Sequence, residues 1–453
     1  MKFKMLFFLL MISLSAFAQE RDDCSCSLNL KEIITDIETN YPGYNHKTNM
    51  GKHPAYILIK KNVIDDASKT TVREGCFYII EKYLSFFKDN HIIFVDNKTS
   101  PKQIPLNDKN LNKTRQDDLT GIWRKVGDSL TVKIIKEDKS TYNAYILKTT
   151  ESYGHLGNVH FALIGNENEF KIRKYSGWLT TYLLRGRRLG QLIIEPDGIW
   201  QKVEKGIEKK SRQNKLGTSN DAFTYQPIGK GSYYLGIPAF NIKEKKFDSL
   251  IVNKIIPEIL DSKTKHLIID LRNNAGGNGS FLSLIRMIYD KPFAIPGDFV
   301  YATPSIIGKY QIAADAGSTY HKMMLPKLIT NIGGFVQKDS LRAKMREIYD
   351  YPQKVSIITN ENCGSSTEYF LLLAKHSSKV KIYGRHTSGT LDYSELFSSE
   401  KLSCAGYNYM RPTSKAFYTD IKPIDNKGIL PDVDLSRYPD DEWIDLIINE
   451  QKL

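Results

Sequence analysis

Two short apolar runs, each ending in a turn of small and polar residues, constrain the possible folds of this chain most strongly. They are HLIIDLR, which begins at His266, and KVSIITN, which begins at Lys354. Uninterrupted apolar runs of this length are typical of strands that are buried on both faces of a sheet. Because helical patterns follow both runs, βαβ crossovers are expected. We therefore predict an α/β domain over residues 221–438, with a mixed, mostly parallel βαβ sheet.

Two segments of different character precede this domain. Within residues 19–118, LKEIITDIETNY and REGCFYIIEKYLSFFKD place apolar residues three and four apart, which predicts a helical N-terminal domain. Residues 119–204 alternate like strands, with Gly, Asp and Asn clusters at hairpin spacing, and predict a small antiparallel β domain, either a meander or a barrel. Its densest basic group, RGRR at 185–188, is interpreted as a solvated hairpin turn. Residues 439–453 are assigned to a C-terminal helix.

The first 18 residues have the pattern of a secretion signal. Lys2 and Lys4 precede an apolar run, and the small residues of Ala-Phe-Ala follow it at 16–18. The run is too short for a transmembrane helix. We expect cleavage after Ala18 and an exported protein, periplasmic or extracellular, without stable membrane insertion.

The net charge of +13 is spread along the chain, and no Arg- and aromatic-rich motif indicates a nucleic-acid partner. The sequence contains no HExxH motif, no phosphate-binding loop and no set of Cys and His residues at zinc spacing. Neither a metal nor an organic cofactor is therefore expected.

Five cysteines are present, and export would permit disulfide bonds. We expect one bond from Cys24 or Cys26 to Cys76, and a second from Cys363 to Cys404. The odd number leaves one thiol unpaired.

The segment ENCGSSTEYF at 361–370 has two possible meanings. Ser365 and Glu368 have the spacing of a capping box, which satisfies free backbone N–H groups at the start of a helix. A serine placed there also lies beyond the carboxyl end of a strand, where functional side chains gather in α/β sheets. It would sit at the positive end of a helix dipole, with the Ser366 N–H directed into the same space. Ser365 is therefore either a helix cap or a nucleophile on these residues alone.

A second motif, DLRNNAGG, follows the HLIID strand. Its paired glycines, Gly276 and Gly277, allow the backbone to approach a ligand and to present N–H groups toward it. We expect the Gly276 N–H to be an oxyanion donor, and a plain βα turn is the alternative interpretation.

Together these motifs resemble the C-terminal processing (tail-specific) serine peptidases and the related tricorn core protease. The family pattern is D-x-R-x-N-x-G-G after one strand, S-S/A-x-E after a second, G-x-x-T-x-G after a third, and x-x-G-I-x-P-D near the domain end. This chain has LIIDLRNNAGG, IITNENCGSSTE, IYGRHTSG and DNKGILPD in that order between residues 267 and 432. The resemblance implies a crotonase-like or ClpP-like core, Ser365 as nucleophile, the Gly276 and Ser366 N–H groups as oxyanion hole, and Glu368 as a supporting residue.

One departure from the family affects the choice of base. The bacterial processing enzymes use a lysine 25 residues after the serine, and this chain has Thr390 there. A serine hydroxyl is a weak nucleophile without an adjacent base. The tricorn-like branch instead uses a histidine from the helical N-terminal segment, which corresponds to His91 here. The resemblance further implies Asp425 as the supporting carboxylate and Asn90 as a helper beside His91, and His386 is the nearest rival base.

We therefore predict an exported serine endopeptidase that acts on polypeptide substrates. The alternative is a non-hydrolytic protein on the same fold that carries apolar ligands or peptides, which the missing lysine favours. The β-rich segment stands where the processing enzymes carry a peptide-gripping PDZ domain. Its tryptophans, Trp123, Trp178 and Trp200, either line a pocket or form the core of that domain. The sequence gives no indication of the oligomeric state.

Overall fold

The computed structural model describes residues 24–98, 117–149, 155–175, 178–203, 223–241, 243–398 and 402–449. The signal peptide predicted at 1–18 lies outside these ranges. Within them the chain forms a helical N-terminal unit, an antiparallel β-barrel and an α/β unit with a mostly parallel sheet, so the predicted fold class is confirmed. None of the helices in the described ranges has the length and apolar character needed to cross a bilayer.

In the described part of the N-terminal unit, residues 24–98, the chain forms four helices and one strand. Its helices bury the apolar residues that recur three and four apart, such as Ile33 and Ile37 on the first helix and Phe77 and Ile80 on the last. The strand continues the chain into a sheet that belongs mostly to the α/β unit. The elements are α1 (Cys26–Asn40), α2 (Tyr44–Thr48), α3 (Pro54–Ser68), α4 (Arg73–Ser85) and β1 (Ile93–Asp96).

Two disulfides fix the N-terminal unit. Cys26 bonds to Cys76 and joins α1 to α4. This confirms the predicted bond to Cys76 and selects Cys26 over Cys24 as its partner. The predicted bond between Cys363 and Cys404 is wrong, because Cys404 bonds to Cys24 instead. Cys363 is a free, buried thiol whose Sγ–H donates to the Leu271 carbonyl at 2.9 Å. Cys363 lies under the Ser365 turn, whereas Cys404 is buried against α1, where its N–H donates to Asn29 Oδ1 at 3.1 Å.

The β-rich segment forms a closed antiparallel barrel. Eight strands close in the order β10-β2-β3-β4-β5-β6-β8-β9, while the short β7 pairs with β1 outside the barrel. Trp123 and Trp200 are fully buried in the barrel core, whereas Trp178 is 47% exposed. The strands are β2 (Gly121–Lys125), β3 (Thr131–Lys136), β4 (Thr141–Lys148), β5 (Val159–Gly165), β6 (Glu169–Lys174), β7 (Leu179–Thr180), β8 (Leu184–Leu189), β9 (Leu192–Glu195) and β10 (Gly198–Lys202).

The RGRR group is not the solvated hairpin turn that the sequence suggested. It lies within β8, where cross-strand pairing with β6 and β9 continues through all four residues. Arg187 is buried and its guanidinium is paired with Asp440 at 2.9 Å. The prediction failed because a barrel strand that docks on another unit can place its cations against carboxylates of that unit, and the local sequence does not indicate such docking.

The α/β unit contains the sheet that carries the sequence motifs. Its order is β11-β12-β13-β18-β19-β22, and every neighbouring pair is parallel except β11 with β12. Central residues such as Ile268, Ile357 and Ile382 are fully buried, as expected for strands covered on both faces. The first elements are β11 (Thr224–Ile228), β12 (Ser232–Gly236), α5 (Glu244–Leu250), a π-helical turn (Ile251–Ile255), α6 (Ile256–Asp261), β13 (His266–Asp270), a 3-10 helix (Gly279–Leu284) and α7 (Ile285–Ile288).

A second sheet connects the N-terminal unit to the α/β unit. Its path is β16-β15-β21-β1-β7, with β20 added beside β21. The remaining elements are β14 (Phe293–Ile295), β15 (Phe299–Tyr301), α8 (Pro304–Asp315), α9 (Thr319–Ile329), β16 (Phe335–Gln337), β17 (Leu341–Ala343), β18 (Lys354–Thr359), α10 (Ser366–Ala374), β19 (Val380–Gly384), β20 (Tyr393–Ser398), β21 (Tyr407–Lys415), β22 (Val433–Asp434), a 3-10 helix (Asp440–Glu442) and α11 (Trp443–Ile448). Because β1 starts two residues after His91, this sheet anchors the predicted base to the unit that carries Ser365.

Candidate active site

Ser365 lies at the N-cap of α10, just beyond the carboxyl end of β18. Its φ is +54°, a left-handed value that non-glycine residues seldom adopt and that is concentrated at functional sites. Its N–H donates to Glu368 Oε2 at 3.2 Å, so Glu368 reaches back as in a capping box. The half-buried Ser365 side chain is thus held at the positive end of a helix. Capping and exposure of a nucleophile are compatible at this position.

Glu368 organises the loop beside Ser365. The side chain is fully buried and its two oxygens accept four hydrogen bonds. Besides the Ser365 N–H, the donors are the Gly389 N–H at 2.7 Å, the Thr390 N–H at 2.7 Å and the Thr387 hydroxyl. Burial raises the pKa of Glu368 to about 6, although these donors oppose the rise. Glu368 therefore joins the nucleophile turn to the segment that follows β19.

Asparagine side chains join the two motif turns to each other. The Asn273 N–H donates to Asn360 Oδ1 at 2.9 Å, and Asn360 Nδ2 returns a bond of 2.8 Å to Asn273 Oδ1. The buried Asn274 carbonyl accepts from the Gly364 N–H at 3.1 Å and from the Thr367 hydroxyl at 2.9 Å. The DLRNNAGG loop is therefore fixed against the start of α10, as an oxyanion hole made from both would require.

The predicted oxyanion donors differ in their availability. The Gly276 N–H, the predicted oxyanion donor, donates to Asn274 Oδ1 at 2.9 Å, because the Asn274 side chain turns back onto its own loop. In the described residues, the N–H groups of Ser366 and Gly277 have no hydrogen-bond acceptor, and the Ser366 hydroxyl donates to the Gly277 carbonyl at 2.8 Å. Gly276 remains in contact with the turn, since a Cβ added to it would lie 2.8 Å from Ser365 Cβ.

His91 is buried and held by a backbone carbonyl. Its Nδ1 lies 2.6 Å from the Tyr393 carbonyl oxygen, and its own N–H donates to Asp89 Oδ1 at 2.9 Å. A carbonyl oxygen can only accept, so Nδ1 carries the proton and the neutral ring has an unprotonated Nε2. Nε2 has no partner in the described part of the chain. Burial lowers the pKa of His91, which favours the neutral ring, despite the charge of Asp89.

The structure does not bring Asp425 into contact with His91. Asp425 forms an ion pair with Lys47 at 3.0 Å, and its Oδ1 accepts from the Asp392 N–H at 3.2 Å. Burial and the nearby Asp89 charge raise the pKa of Asp425 well above its usual range, although Lys47 opposes this. Asp425 is linked to His91 indirectly, through the backbone of Asp392 and Tyr393 and through the charge of Asp89.

Two further predicted residues have limited roles in this geometry. Asn90, next to His91, makes no hydrogen bond within the described residues. The rival base, His386, has Nδ1 at 2.8 Å from the Thr387 carbonyl oxygen. His386 therefore has the same tautomer as His91. It lies in the α/β unit, just before the residues 387–390 that bind Glu368, whereas His91 lies in the N-terminal unit.

Thr390 occupies the neighbourhood of the Ser365 turn. A Cβ added to Gly364 would lie 3.2 Å from Thr390 Oγ1. Only three positions further along the chain, the Tyr393 carbonyl holds His91. The described structure has no hydrogen bond between the Ser365 hydroxyl and His91, but both residues are attached to this one short segment.

Sequence reasoning missed the residues that hold the site in place. Tyr393 acts through its carbonyl, so its side-chain type gave no signal. Asn274 and Asn360 stand in the motif turns, and asparagines there are a signal for side-chain bonds that close turns. Lys47 had no signal, since it lies 378 positions from Asp425.

Comparison with known proteins identifies the α/β unit. Residues 233–435 match the family model described as Peptidase family S41, a range that includes Gly276, Ser365 and Asp425. No curated protein matches the sequence significantly.

Solved structures are similar to the chain over nearly its whole length. The structure of mature CPAF complexed with lactacystin shares 13% identity, covers 94% of this chain and 100% of its own, and has a TM-score of 0.52. Mature CPAF has 14% identity, coverages of 95% and 99%, and a TM-score of 0.51. At these identities the likeness shows a shared fold. Together with the motifs, the match of residues 233–435 to peptidase family S41 supports a serine-type peptidase that is similar to the C-terminal processing peptidases.

Proposed function

We propose that this serine-type peptidase is an exported endopeptidase in which Ser365 is the nucleophile and His91 is the general base. The observation that carries the proposal is the tautomer of His91, whose Nδ1–H is held by the Tyr393 carbonyl while Nε2 is left as an acceptor. An acceptor nitrogen in a ring with a lowered pKa is the form that a general base needs. The hydrogen bond from Ser365 would form in the substrate complex, where catalytic hydrogen bonds commonly tighten.

The reaction then follows from the groups at hand. Ser365 Oγ attacks the peptide carbonyl carbon as its proton passes to His91 Nε2. The carbonyl π pair moves to oxygen, and the Ser366 N–H together with a glycine N–H of the NAGG turn stabilises the oxyanion. The Gly277 N–H is free for this role, and the Gly276 N–H would have to leave Asn274 first. The C–N bond breaks as His91 protonates the leaving amine, and water activated by Nε2 hydrolyses the acyl-enzyme.

Export is part of the proposal and rests on two features. The first 18 residues have the composition of a cleaved signal peptide, with cleavage after Ala18. The two disulfides are of the kind that persists in oxidising compartments. The protein would therefore act on polypeptides in a periplasm or outside the cell.

Covalent labelling tests the nucleophile directly. The purified protein would be treated with a fluorophosphonate and digested, and the modified peptide identified by mass spectrometry. Attachment at Ser365, absent in Ser365→Ala and slowed in His91→Ala, supports the proposal. The absence of a lysine at Thr390 favours the non-hydrolytic binding protein, and an unlabelled but folded wild type would decide for it.

A further inference from the structure

Two cations on the outer face of the barrel form no ion pair with any described residue. Lys171 on β6 and Arg185 on β8 are directly opposite each other in the antiparallel register. In the described residues, neither has an Asp or Glu oxygen within 4.0 Å of its charged nitrogens. Like charges that face each other across strands are destabilising.

The other Lys and Arg residues of β6 and β8 each form an ion pair with a carboxylate. Arg173 pairs with Glu81, Lys174 with Glu195, Arg187 with Asp440, and Arg188 with Asp118. Lys171 and Arg185 are therefore the exception among the cations of β6 and β8, whose other members each pair with a carboxylate.

Arg185 reaches the loop beside the nucleophile. Its Nη2 donates to the Ser388 carbonyl at 3.0 Å, and the Ser388 N–H in turn donates to the Cys363 carbonyl at 2.7 Å. Ser388 also packs on Gly364, because a Cβ on Gly364 would lie 2.6 Å from Ser388 Oγ. One residue therefore separates the guanidinium from the turn that carries Ser365.

The backbone of Arg185 is fixed independently of its side chain. Its N–H donates to Asn362 Oδ1 at 2.7 Å, and Asn362 Nδ2 donates to its carbonyl at 2.9 Å. These two hydrogen bonds with Asn362 orient β8 toward the site, and they would survive a change of the Arg185 side chain.

The nearest carboxylates are already engaged. Glu361 forms a bidentate pair with Arg385 at 2.7 and 2.9 Å, and Glu368 accepts its four donors. Partial burial lowers the pKa of Arg185, opposed by the charges of Glu361, Glu368 and Glu169 and by Tyr182. Among the described residues, only Nη2 of this half-buried guanidinium donates a hydrogen bond, and the group is suited to a carboxylate, which it can bind through two parallel hydrogen bonds.

We propose that Lys171 and Arg185 form a subsite for a carboxylate of the peptide substrate, supplied by the barrel beside the Ser365 turn. An extended peptide spans ~3.3 Å per residue, so a carboxylate a few residues from the scissile bond would reach the pair. The carboxylate comes from an acidic side chain or from the free C-terminus of the substrate. The subsite rests on the proposed function for its substrate, but it can be tested by binding alone.

The test uses full-length Ser365→Ala protein, which binds without turnover, and fluorescent peptides in anisotropy titrations. Four peptides of one sequence differ in an Asp or Asn side chain and in a free or amidated C-terminus. We expect the charged peptides to bind at least tenfold more tightly than the neutral one, and added salt to reduce the difference. A preference that follows the Asp identifies a side-chain carboxylate, and one that follows the free terminus identifies the C-terminus.

Arg185→Gln and Lys171→Gln should each remove most of this preference and leave binding of the neutral peptide unchanged. Arg188→Gln, on the same strand but paired with Asp118, is the matched control and should preserve it. Equal binding of charged and neutral peptides by the Ser365→Ala protein would overturn the proposal. Equal weakening of all peptides by both Gln variants would also overturn it, because it would assign the two cations a structural role. Phosphonate labelling of the protein with Ser365 intact reports separately on whether the proposed function itself holds.

Discussion

Glu368→Gln would test whether the buried carboxylate holds the nucleophile turn and the loop after β19 together. Each carboxylate oxygen accepts two donors, and Gln keeps only one oxygen. Two buried donors would therefore lose their acceptor, at about 1–3 kcal/mol each. Removing the carboxylate also removes the cost of burying its charge. Burial raises the pKa of Glu368 from 4.5 to about 6, and this shift corresponds to a cost of ~2 kcal/mol at neutral pH. The opposing contributions leave a net destabilisation of roughly 2 kcal/mol.

The same change has a predictable pH dependence. The folded-state pKa of Glu368 lies above its unfolded value, so its contribution to stability is complete below about pH 4.5 and is lost as pH rises through 6. Gln does not titrate. The difference in unfolding free energy between wild type and variant should therefore be larger at pH 4.5 than at pH 7.5, by ~2 kcal/mol.

The assay is urea unfolding followed by circular dichroism, with hydrogen exchange of residues 385–393 as the local measurement. Glu442→Gln changes an exposed carboxylate near the C-terminus and should stay within about 0.5 kcal/mol of wild type. The reasoning fails if Glu368→Gln is as stable as that control, exchanges its 385–393 amides at the wild-type rate and reacts with phosphonate equally fast.

Three further outcomes are expected from the site geometry. Because burial lowers the pKa of His91, hydrolysis of an unstructured peptide pool should rise with pH across pH 5–9, with a midpoint below ~6.5. His91→Ala should lose this titration and about a hundredfold or more of turnover. A larger loss of turnover in His386→Ala would show that the base is misassigned. Thr390→Ala should retain most turnover, since its backbone N–H makes the bond to Glu368, and a collapse of kcat in the folded variant would show that its hydroxyl takes part. Gly276→Ala places a Cβ 2.8 Å from three atoms of the Ser365 turn at a φ of +106°, so phosphonate labelling should fall at least tenfold, and labelling at the wild-type rate would show that the turn adapts without loss.

The elements that the sequence predicted best are those whose signal is local. The parallel strands carrying HLIID and KVSIIT, and the start of α10 at the capping box of Ser365, follow from apolar runs and side-chain spacing. The motif order then indicated the family. Closure of the barrel could not be derived in this way, because a meander and a barrel share the same alternation within each strand.

The positions of the supporting groups were beyond local reasoning. Asp425 was predicted to support His91, yet it pairs with Lys47, a residue with no motif around it. The ring of His91 is oriented by a backbone carbonyl, which every residue possesses. The Cys24–Cys404 pairing depends on where the loop between β20 and β21 meets the N-terminal helices. These are contacts between distant segments, and only the folded arrangement selects them.

The bond between Cys24 and Cys404 spans 380 positions and turns most of the chain into a covalent ring. Both His91 and Ser365 lie on that ring. A single peptide-bond cleavage anywhere between the two cysteines, including self-cleavage in the stretch 204–220, would therefore open the ring without releasing either residue. A molecule nicked between His91 and Ser365 would stay in one covalent piece until a reductant is added, and under denaturing conditions it would then separate into a fragment with the histidine and a fragment with the serine. Electrophoresis without reductant would accordingly report such a protein as intact.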